Sequence, residues 1–362
     1  MGLTYHTPEG QIYWDESAHY QLNSREVDAL EKAANDVQEL AVAAGQHIID
    51  HDLFASMGIP AAAVPLIRSS WDRDDFSLYG RMDFSWDGKS PPKLLEYNAD
   101  TPTALVEAAV AQWFWLQDVS KLSDQFNSIH EHLIAAWKKF GGKSSGPVHL
   151  GGLKENLEDA QTVLYIQDTC HQAGLVTKNL FVEDLGFDAA AKAFVDLENE
   201  TVKNYFKLYP WEWMWGDEFA SRLSLESVNF IEPMFKMLWS NKALLPILWQ
   251  LNPGHPNLLP AFDEHDADGI RSLKESYVRK PKLSREGANI SMVNGGKVLA
   301  ETGGDYGVEG FIYQALAPTA DFEGNHPIFG VWMVNHEACG LGIREDRALI
   351  TGNLSRFVPH YF

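Results

Sequence analysis

The segments YGRMD at residues 79–83 and LEYNADTPT at residues 95–103 decide how this chain folds, because polar and apolar side chains alternate through both. The alternation covers residues 81–86 and 93–98, and the Asp87-Gly88 pair between them is a turn signal. Two alternating runs joined by such a turn predict a β-hairpin. The rest of the fold must then accommodate a hairpin whose strands carry an arginine and two carboxylates.

The predicted hairpin groups its polar side chains by face. Residues two apart in a strand share a face, so Arg81 and Asp83 point the same way, as do Glu96 and Asn98. If pairing joins the two faces, Asp83, Glu96 and Asn98 present the hard oxygen ligands that Mg²⁺ takes, with Arg81 beside them. A hairpin with one charged face in solvent is the other interpretation, and the segment alone leaves both open.

Composition limits the class of protein. The chain has 362 residues, of which 45% are hydrophobic and 22% charged, and this predicts two or three packed lobes. No apolar run of about 18 residues is present, so no membrane helix is expected. The N-terminus lacks the features of a secretory signal, and only Cys170 and Cys339 occur, so a disulfide framework is excluded and a reducing cytoplasm is expected.

The formal net charge of −21 argues against nucleic acid as a partner. An anion such as ATP would need a local concentration of lysine and arginine, and the run VRKPKLSREGAN at residues 278–289 supplies one. Lys280 and Arg285, together with loop N–H groups, would suit a polyphosphate, although the run is not a P-loop. Arg344 could reach the same site from a neighbouring strand. A basic surface turn is the alternative interpretation.

Periodicity predicts a mixed α+β fold. Residues 24–50 have the spacing of an amphipathic helix, and Asn23 with Glu26 forms a capping-box pattern at its start. Further helices are predicted at 103–118, 123–140, 157–173 and through most of 223–251. Strands are predicted at 148–151, 176–182, 276–281, 288–299, 310–316 and 328–335.

Three other patterns have ordinary structural interpretations. The alternating aromatic run WEWMW at residues 211–215 predicts a packed strand, although a sugar-stacking platform for glycoside chemistry is a possible use. Lys242 opens an apolar helix and on pattern alone would lie at the surface. His336 and Cys339 have no second pair of ligands, so zinc is not expected there.

Taken together, these segments resemble the synthetase domain of the glutathionylspermidine synthase family, a branch of the ATP-grasp ligases. The resemblance runs along nearly the whole chain and is to the stand-alone subgroup without the amidase domain. It implies an ATP-grasp-like, multi-lobe α+β fold with a pre-ATP-grasp N-terminal portion and a mobile lid, with lobes at about 1–145, 146–265 and 266–362. The motifs that carry it are YGRMDF (79–84), LEYNADTPT (95–103), LEDAQTV (157–163), HQAGL (171–175), NKALLPILW (241–249), HPNLLPAF (255–262), VRKPKLSREGANI (278–290), IYQAL (312–316) and GLGIRED (340–346).

The resemblance implies roles for the residues around ATP. Mg²⁺, as two ions, would be held by Asp83, Glu96 and Asn98, while Arg81 would contact the γ-phosphate. Arg285 and Arg344 would bind phosphate or a reacting carboxylate, and the loop at 284–287 would close over the phosphates. The remaining nucleotide contacts would come from Lys242, Lys280, Gly287, Gln314, Ala315, Leu316, Ala317, Leu349, Ile350 and Thr351.

The resemblance also implies where the other substrates bind. Thr101 and Thr103 would contact a peptide or amino acid substrate, and the acidic pair Glu158 and Asp159 would bind an amine. Spermidine-specific members carry threonines in the strand aligned with 207–213, where this chain has Leu208 and Trp213. The resemblance therefore leaves the identity of the acid and of the amine open.

The function that follows is a cytoplasmic, ATP-dependent carboxylate–amine ligase. It would form an amide through an acyl phosphate, with a small carboxylate and an amine as substrates and with neither nucleic acid nor membrane as a partner. The alternative is an ATP-binding protein of the same fold that lacks ligase activity.

Overall fold

The computed structural model describes residue 3 and residues 5–223, 227–317 and 320–362, which form a mixed arrangement of helices and sheets. Elements are numbered in chain order. A π-helix covers Glu107–Ala111 and short 3₁₀ turns cover Pro8–Gly10, Ala55–Met57, Val182–Asp184 and Met234–Leu238. The α-helices are α1 (Ser24–Asp50), α2 (Val64–Asp72), α3 (Gln112–Val119), α4 (Ile129–Gly141), α5 (Leu157–Gln172), α6 (Trp211–Gly216), α7 (Ala220–Leu223), α8 (Leu244–Leu251) and α9 (Ala267–Ser272).

A five-stranded antiparallel sheet contains the hairpin and is called here the central sheet. Its inner strands join two distant parts of the chain, because the N-terminal hairpin pairs with C-terminal strands. The strand order is β17 (Arg356–Val358), β16 (Glu337–Asp346), β15 (His326–Val334), β2 (Tyr79–Ser85) and β3 (Lys93–Asn98).

A second five-stranded antiparallel sheet, called here the lid sheet, is formed between residues 261 and 315. A parallel four-stranded sheet and two short strand pairs complete the described strands. The lid sheet has the order β10 (Ala261–Asp263), β14 (Phe311–Ala315), β11 (Tyr277–Pro281), β12 (Ser291–Asn294) and β13 (Lys297–Glu301); the parallel sheet has the order β5 (Thr177–Asn179), β4 (Val148–Gly151), β8 (Asn204–Lys207) and β9 (Asn229–Ile231); and the pairs are β1 (Tyr20–Gln21) with β18 (His360–Tyr361) and β6 (Gly186–Asp188) with β7 (Ala193–Val195).

Helix α1 confirms the amphipathic helix that the sequence predicts. Its N-cap Asn23 accepts from the backbone N–H of Glu26, whose side chain in turn accepts from the Asn23 N–H, and this satisfies two N–H groups at the helix start. The apolar stripe of α1, from Val27 to Ile49, is buried against β15, β16 and α8. The helix α1 therefore packs against the central sheet.

Several predicted elements differ from the structure. The helix expected at 103–118 begins at Leu105 and continues through the π-helix at Glu107–Ala111, and the one expected at 123–140 begins only at Ile129. The expected strand at 288–299 is a hairpin of β12 and β13. The long helix expected at 223–251, of which 224–226 lie outside the described residues, is instead strand β9, a 3₁₀ turn and α8.

The strand predicted for the aromatic run at 211–215 is wrong, because these residues form the short helix α6. Pro210 precedes the first helical turn, a position that proline tolerates well. In a helix, Trp211 and Trp213 point in different directions: Trp211 is buried and Trp213 is 38% exposed. The run therefore presents no flat aromatic platform for a sugar.

The C-terminal part of the chain contributes strands to two sheets. Residues 266–362 contribute to the lid sheet and also supply three strands of the central sheet, so this part of the chain belongs to two layers. Within the described residues, no helix is both long enough and apolar enough to cross a membrane.

Candidate functional site

The polar faces of β2 and β3 meet, as the hairpin pattern requires. Arg81 lies opposite Asn98 and Asp83 opposite Glu96 in the register. The Asn98 Nδ2 atom is 3.1 Å from an Asp83 oxygen and 3.0 Å from a Glu96 oxygen, so both carboxylates converge on one point. Arg81 and Asp83 are only 8% and 7% exposed, which contradicts the interpretation of a charged face in solvent.

Arg81 is held beside these carboxylates by three hydrogen bonds. Its guanidinium donates to both oxygens of Asp83, at 2.6 and 2.9 Å, in the paired geometry that arginine and a carboxylate favour. A third hydrogen bond goes to the Thr103 carbonyl oxygen. The two-oxygen pairing fixes the direction in which the guanidinium points.

Lys242 and Lys280 bring positive charge to the same place. Lys242 is 7% exposed, so the interpretation of a surface lysine is wrong; its Nζ lies 2.9 Å from Glu96 and donates to the Ser284 carbonyl at 2.9 Å. Lys280 donates to the Gln314 side chain at 2.8 Å and to the Leu95 carbonyl at 3.0 Å. The hairpin and the basic segment, nearly two hundred residues apart in sequence, therefore contact each other directly.

The charged side chains in this cluster shift one another's pKa values. Burial alone would raise the pKa of Glu96, but Lys242 and Lys280 outweigh it and lower the pKa to about 2. Burial lowers the pKa of Lys280 to about 8, although Glu96 opposes the change. The site thus keeps Glu96 ionised and holds Lys280 near the point at which its charge begins to be lost.

Arg285 connects the basic loop to two other parts of the site. It donates to the Thr101 hydroxyl at 2.7 Å and to Glu212 of α6 at 3.0 Å, and its guanidinium lies 5.5 Å from the centre of the Trp213 ring. Its Nε atom is buried and has no hydrogen-bond partner among the described residues. The same holds for Arg344 Nε, although that guanidinium donates elsewhere to the Gly352 and Asn353 carbonyls.

These side chains line one large cleft between the central sheet and the lid sheet, called here the main cleft. It contains about 1220 Å³ of empty space, including the part open to solvent. Apolar side chains of Val278, Ile290 and Met292 form one wall. The predicted residues that line the cleft are Arg81, Asp83, Glu96, Asn98, Thr101, Thr103, Lys242, Lys280, Arg285, Gly287, Gln314, Ala315, Ala317, Arg344, Leu349, Ile350 and Thr351.

Among the predicted nucleotide contacts, Leu316 lies outside the cleft lining and packs behind it against Val278, Ile290 and Met292. Leu316 lies one residue past the end of β14 at Ala315, so the alternation of the strand does not determine its direction. Gly287 has a φ of +70°, and a Cβ there would meet the Thr351 carbonyl. The loop at 284–287 therefore lies directly against the segment 349–351.

The main cleft fits Mg²⁺ and a triphosphate on its own chemistry. Two carboxylates and a carboxamide converge, and these are the ligands of a hard cation. Buried atoms without partners, at Ser284 Oγ, Arg285 Nε and Arg344 Nε, are unsatisfied hydrogen-bonding groups in the lining. An anion with several oxygens would satisfy them, and such orphaned groups are otherwise costly.

The acidic pair Glu158 and Asp159 lies in the first turn of α5, beside the main cleft rather than in its lining. Burial raises the pKa of Glu158, and burial together with Glu158 raises the pKa of Asp159 to about 7. Arg344 opposes the rise at Glu158, so a cleft arginine acts electrostatically on this pair. Arg285 likewise opposes the rise in the pKa of Asp159.

The structure adds residues that sequence reasoning missed. Glu107 in the π-helix is 3% exposed, and burial together with Glu158 raises its pKa to about 7. In the sequence, Glu107 stands among apolar residues. That pattern indicates a buried acid but does not indicate that the acid lies near the site. Glu212 was noted only as part of an aromatic run, and its contact with Arg285 depends on α6 being a helix.

Asp100, the second acid of the LEYNAD segment, was also missed. Its carboxylate pairs with Lys207 at 2.7 Å and accepts from the Trp211 N–H at 2.9 Å, and both charged groups are fully buried. This pair joins the loop carrying Thr101 and Thr103 to the start of α6. Leu208 and Asp159 both lie close to Gly152. A Cβ on Gly152 would be 3.3 Å from Asp159 Cβ and 3.5 Å from Leu208 Cβ.

Comparison with known proteins agrees with this arrangement. The sequence model described as "Glutathionylspermidine synthase preATP-grasp" matches residues 1–362. A Haemophilus influenzae protein with the provisional name acid–amine ligase is 40% identical over all of this chain and 95% of its own length. Trypanothione synthetase of Crithidia fasciculata is 30% identical over 87% of this chain, which spans only 52% of that protein.

Among solved structures, a glutathione synthetase-like effector from Globodera pallida in its apo form superposes with a TM-score of 0.60 over 98% of this chain and 92% of its own. The identity is 9%, so this likeness concerns the fold alone. The match of the family over the whole chain, with named relatives that are ligases and synthetases, settles the classification. The chain belongs to the glutathionylspermidine synthase preATP-grasp family.

Proposed function

We propose that this protein is an ATP-dependent acid–amine ligase. The observation that carries the proposal is that Asp83, Glu96 and Asn98 line the same cleft as Lys280 and Arg285. In the proposed reaction a substrate carboxylate attacks the γ-phosphorus of ATP, giving an acyl phosphate and ADP. A neutral amine then attacks the acyl carbon, the C–O bond to phosphate breaks, and the amine loses a proton as the amide forms.

The residues of the first step would supply charge and alignment rather than proton transfer. Arg81, oriented by Asp83, would meet the transferring phosphoryl group. Arg285 and Lys280 would neutralise the phosphate oxygens from the opposite side. Mg²⁺, held by Asp83, Glu96 and Asn98, would neutralise further phosphate charge when bound.

The second step needs an attacking amine that has lost its proton, while a second amine group of the same molecule can stay a cation and anchor it. Glu158 and Asp159, near the edge of the main cleft, would bind such a cation. Closure of the 284–287 loop against residues 349–351 would exclude water from the acyl phosphate. Thr101 and Thr103 would hold the acid substrate, since Arg285 and Arg81 already bond to that loop.

A crossed screen of acids and amines for ADP formation tests the proposal, using thiol peptides, dipeptides and amino acids against polyamines and amino acids. We expect at least one pair to release ADP and yield an amide of the summed mass less water. Tight Mg-ATP binding with no ADP from any pair would favour the alternative, an ATP-binding protein without ligase activity.

Within that screen, Arg81→Ala should lower turnover by several orders of magnitude, because a single transition-state contact with the phosphoryl group can contribute that much. The variant also leaves the buried Asp83 unpaired, so its melting temperature should fall. Arg81→Lys keeps the charge and serves as the matched control: it should recover folding but little turnover, since lysine lacks the paired geometry. Near-normal turnover in either variant would remove Arg81 from the mechanism.

A further inference from the structure

A second cavity, called here the outer cavity, lies between the π-helix with α3 on one side and α4 with α5 on the other. It holds about 1000 Å³ of empty space, including the part open to solvent. Apolar groups of Ala109, Val110, Trp113 and Phe114 form one wall. The opposite wall is polar and consists of Asn127, His130, Glu131, Tyr165 and Asp168.

The apolar wall has two large aromatic side chains that folding leaves in water. Trp113 is 41% exposed and Phe114 is 57% exposed, although they are neighbours at the rim of a cavity. On α5, Leu164 is 55% exposed one turn before Asp168. Contiguous exposed apolar groups around a concavity are typical of a binding site, whereas isolated ones are common on any surface.

The polar wall is ordered by a chain of hydrogen bonds. His130 Nε2 lies 3.2 Å from the Gln172 carboxamide oxygen, which can only accept, so that nitrogen carries the proton. His130 Nδ1 lies 3.1 Å from the Tyr165 hydroxyl, within hydrogen-bond distance. At the other end, the Gln172 amide donates to Asp168 at 2.8 Å. The chain fixes Asp168 and consumes only one of its two carboxylate oxygens.

The electrostatics of the outer cavity have one sign. Glu131 and Asp168 are its acidic members, and among the described residues that line it there is no lysine or arginine. A neutral apolar occupant would leave these carboxylates without a lysine or arginine counter-ion in the lining. A second copy of this chain is disfavoured, because each copy carries a net charge of −21 and would place acid against acid. A cation with an apolar portion satisfies both walls.

We propose that the outer cavity is a binding site for a small organic ammonium ion. The cation would lie against the Trp113 ring, where the ring quadrupole attracts it, with Asp168 and Glu131 as its counter-ions. The apolar portion would cover Val110 and Phe114. The site is separate from the acidic pair at the main cleft, since Asp168 lies roughly 15 Å along α5 from Glu158 at about 1.5 Å per residue.

Isothermal titration calorimetry with benzyltrimethylammonium tests this directly, with the main cleft saturated by Mg²⁺ and a non-hydrolysable ATP analogue. We expect saturable binding that weakens as salt is raised. Trp113→Ala should weaken it about tenfold, and Asp168→Asn several-fold, in line with a partly exposed cation–π contact and one counter-ion. Both side chains are at the rim, so melting curves should remain close to those of the unaltered protein.

The controls separate this site from the other possibilities. Asp159→Asn, at the main cleft, should leave the affinity unchanged, and benzyl alcohol, which is neutral, should bind far more weakly. The proposal fails if no saturable binding occurs, if benzyl alcohol binds as tightly, or if Asp159→Asn rather than Trp113→Ala removes binding. Sedimentation that shows a dimer lost in Trp113→Ala would instead assign the cavity to a second copy of the chain.

Discussion

Gly330 of β15 is an example of a residue that shapes the site without a functional group of its own. It lies opposite Asp83 in the central sheet. A Cβ at this position would lie 2.8 Å from Arg81 Cδ and 3.2 Å from an Asp83 carboxylate oxygen. The absence of a side chain therefore lets the Arg81–Asp83 pair lie flat on the neighbouring strand.

We expect Gly330→Ala to displace Arg81 and lower turnover by about 10²-fold, since a shift of about 1 Å in a positioned group has effects of that size. The overall fold should survive, because the guanidinium can move toward the cleft. Steady-state kinetics with a melting curve would check this. Gly216→Ala is the matched control, because a Cβ there meets nothing within 4 Å. Equal turnover in the two variants would contradict the positioning role.

At the scale of elements, α6 and the 284–287 loop act as partners. Glu212 and Trp213 of α6 hold Arg285 from one side while Thr101 holds it from the other. The Asp100–Lys207 pair fixes α6 in turn, since Asp100 accepts from the Trp211 N–H at its start. The basic loop is therefore docked against α6, with the Glu212 carboxylate on Arg285.

From this contact we expect Glu212→Gln to tighten the binding of Mg-ATP several-fold. The change removes a negative charge beside a site for an anion and frees Arg285, while Thr101 and Trp213 still orient it. Calorimetric titration at two salt concentrations would measure the effect, and Glu218→Gln, on an exposed part of the same region, provides a control of equal charge. Weaker binding would mean that Glu212 orients Arg285 rather than competing for it.

At the scale of the whole molecule, buried acids link stability to pH. Burial, with Glu158 as the next cause, raises the pKa of both Glu107 and Asp159 to about 7. In the unfolded chain these groups titrate near 4. Between about pH 4 and 7 the native state thus binds more protons than the unfolded state, so these two groups lower stability as the pH rises through that window.

We therefore expect the double variant Glu107→Gln, Asp159→Asn to lose less stability between pH 5 and 7 than the unaltered protein, by up to a few kcal/mol. Denaturant titrations at several pH values would give the difference curve. His336 and His360 act in the opposite sense, because burial lowers their pKa values to about 4 and about 3. Both histidines remain in the variant, so their contribution cancels in the difference between the two stability curves. Parallel curves for the variant and the unaltered protein would contradict the raised pKa values of the two acids.

Local pattern predicted much of the fold. The period of α1, its capping box and the alternation of β2 and β3 depend on side chains close together in sequence, and the structure confirms them. The predictions that failed also relied on local pattern alone. WEWMW alternates like a strand, yet it forms a helix after Pro210, because Trp211 is buried in the core and its N–H is bonded to Asp100, more than a hundred residues away.

What the sequence determined by itself is the set of chemical groups and their local geometry: the hairpin, its oxygen ligands and the basic loop. Only the tertiary structure decided that Lys242 is buried beside Glu96, that Arg285 bonds to Glu212, and that Glu107 lies near Glu158. The physical reason is the distance over which each effect acts. Periodicity and turn chemistry act over a few residues, whereas burial and Coulomb interaction depend on distance in space, which the sequence does not contain until the chain has folded.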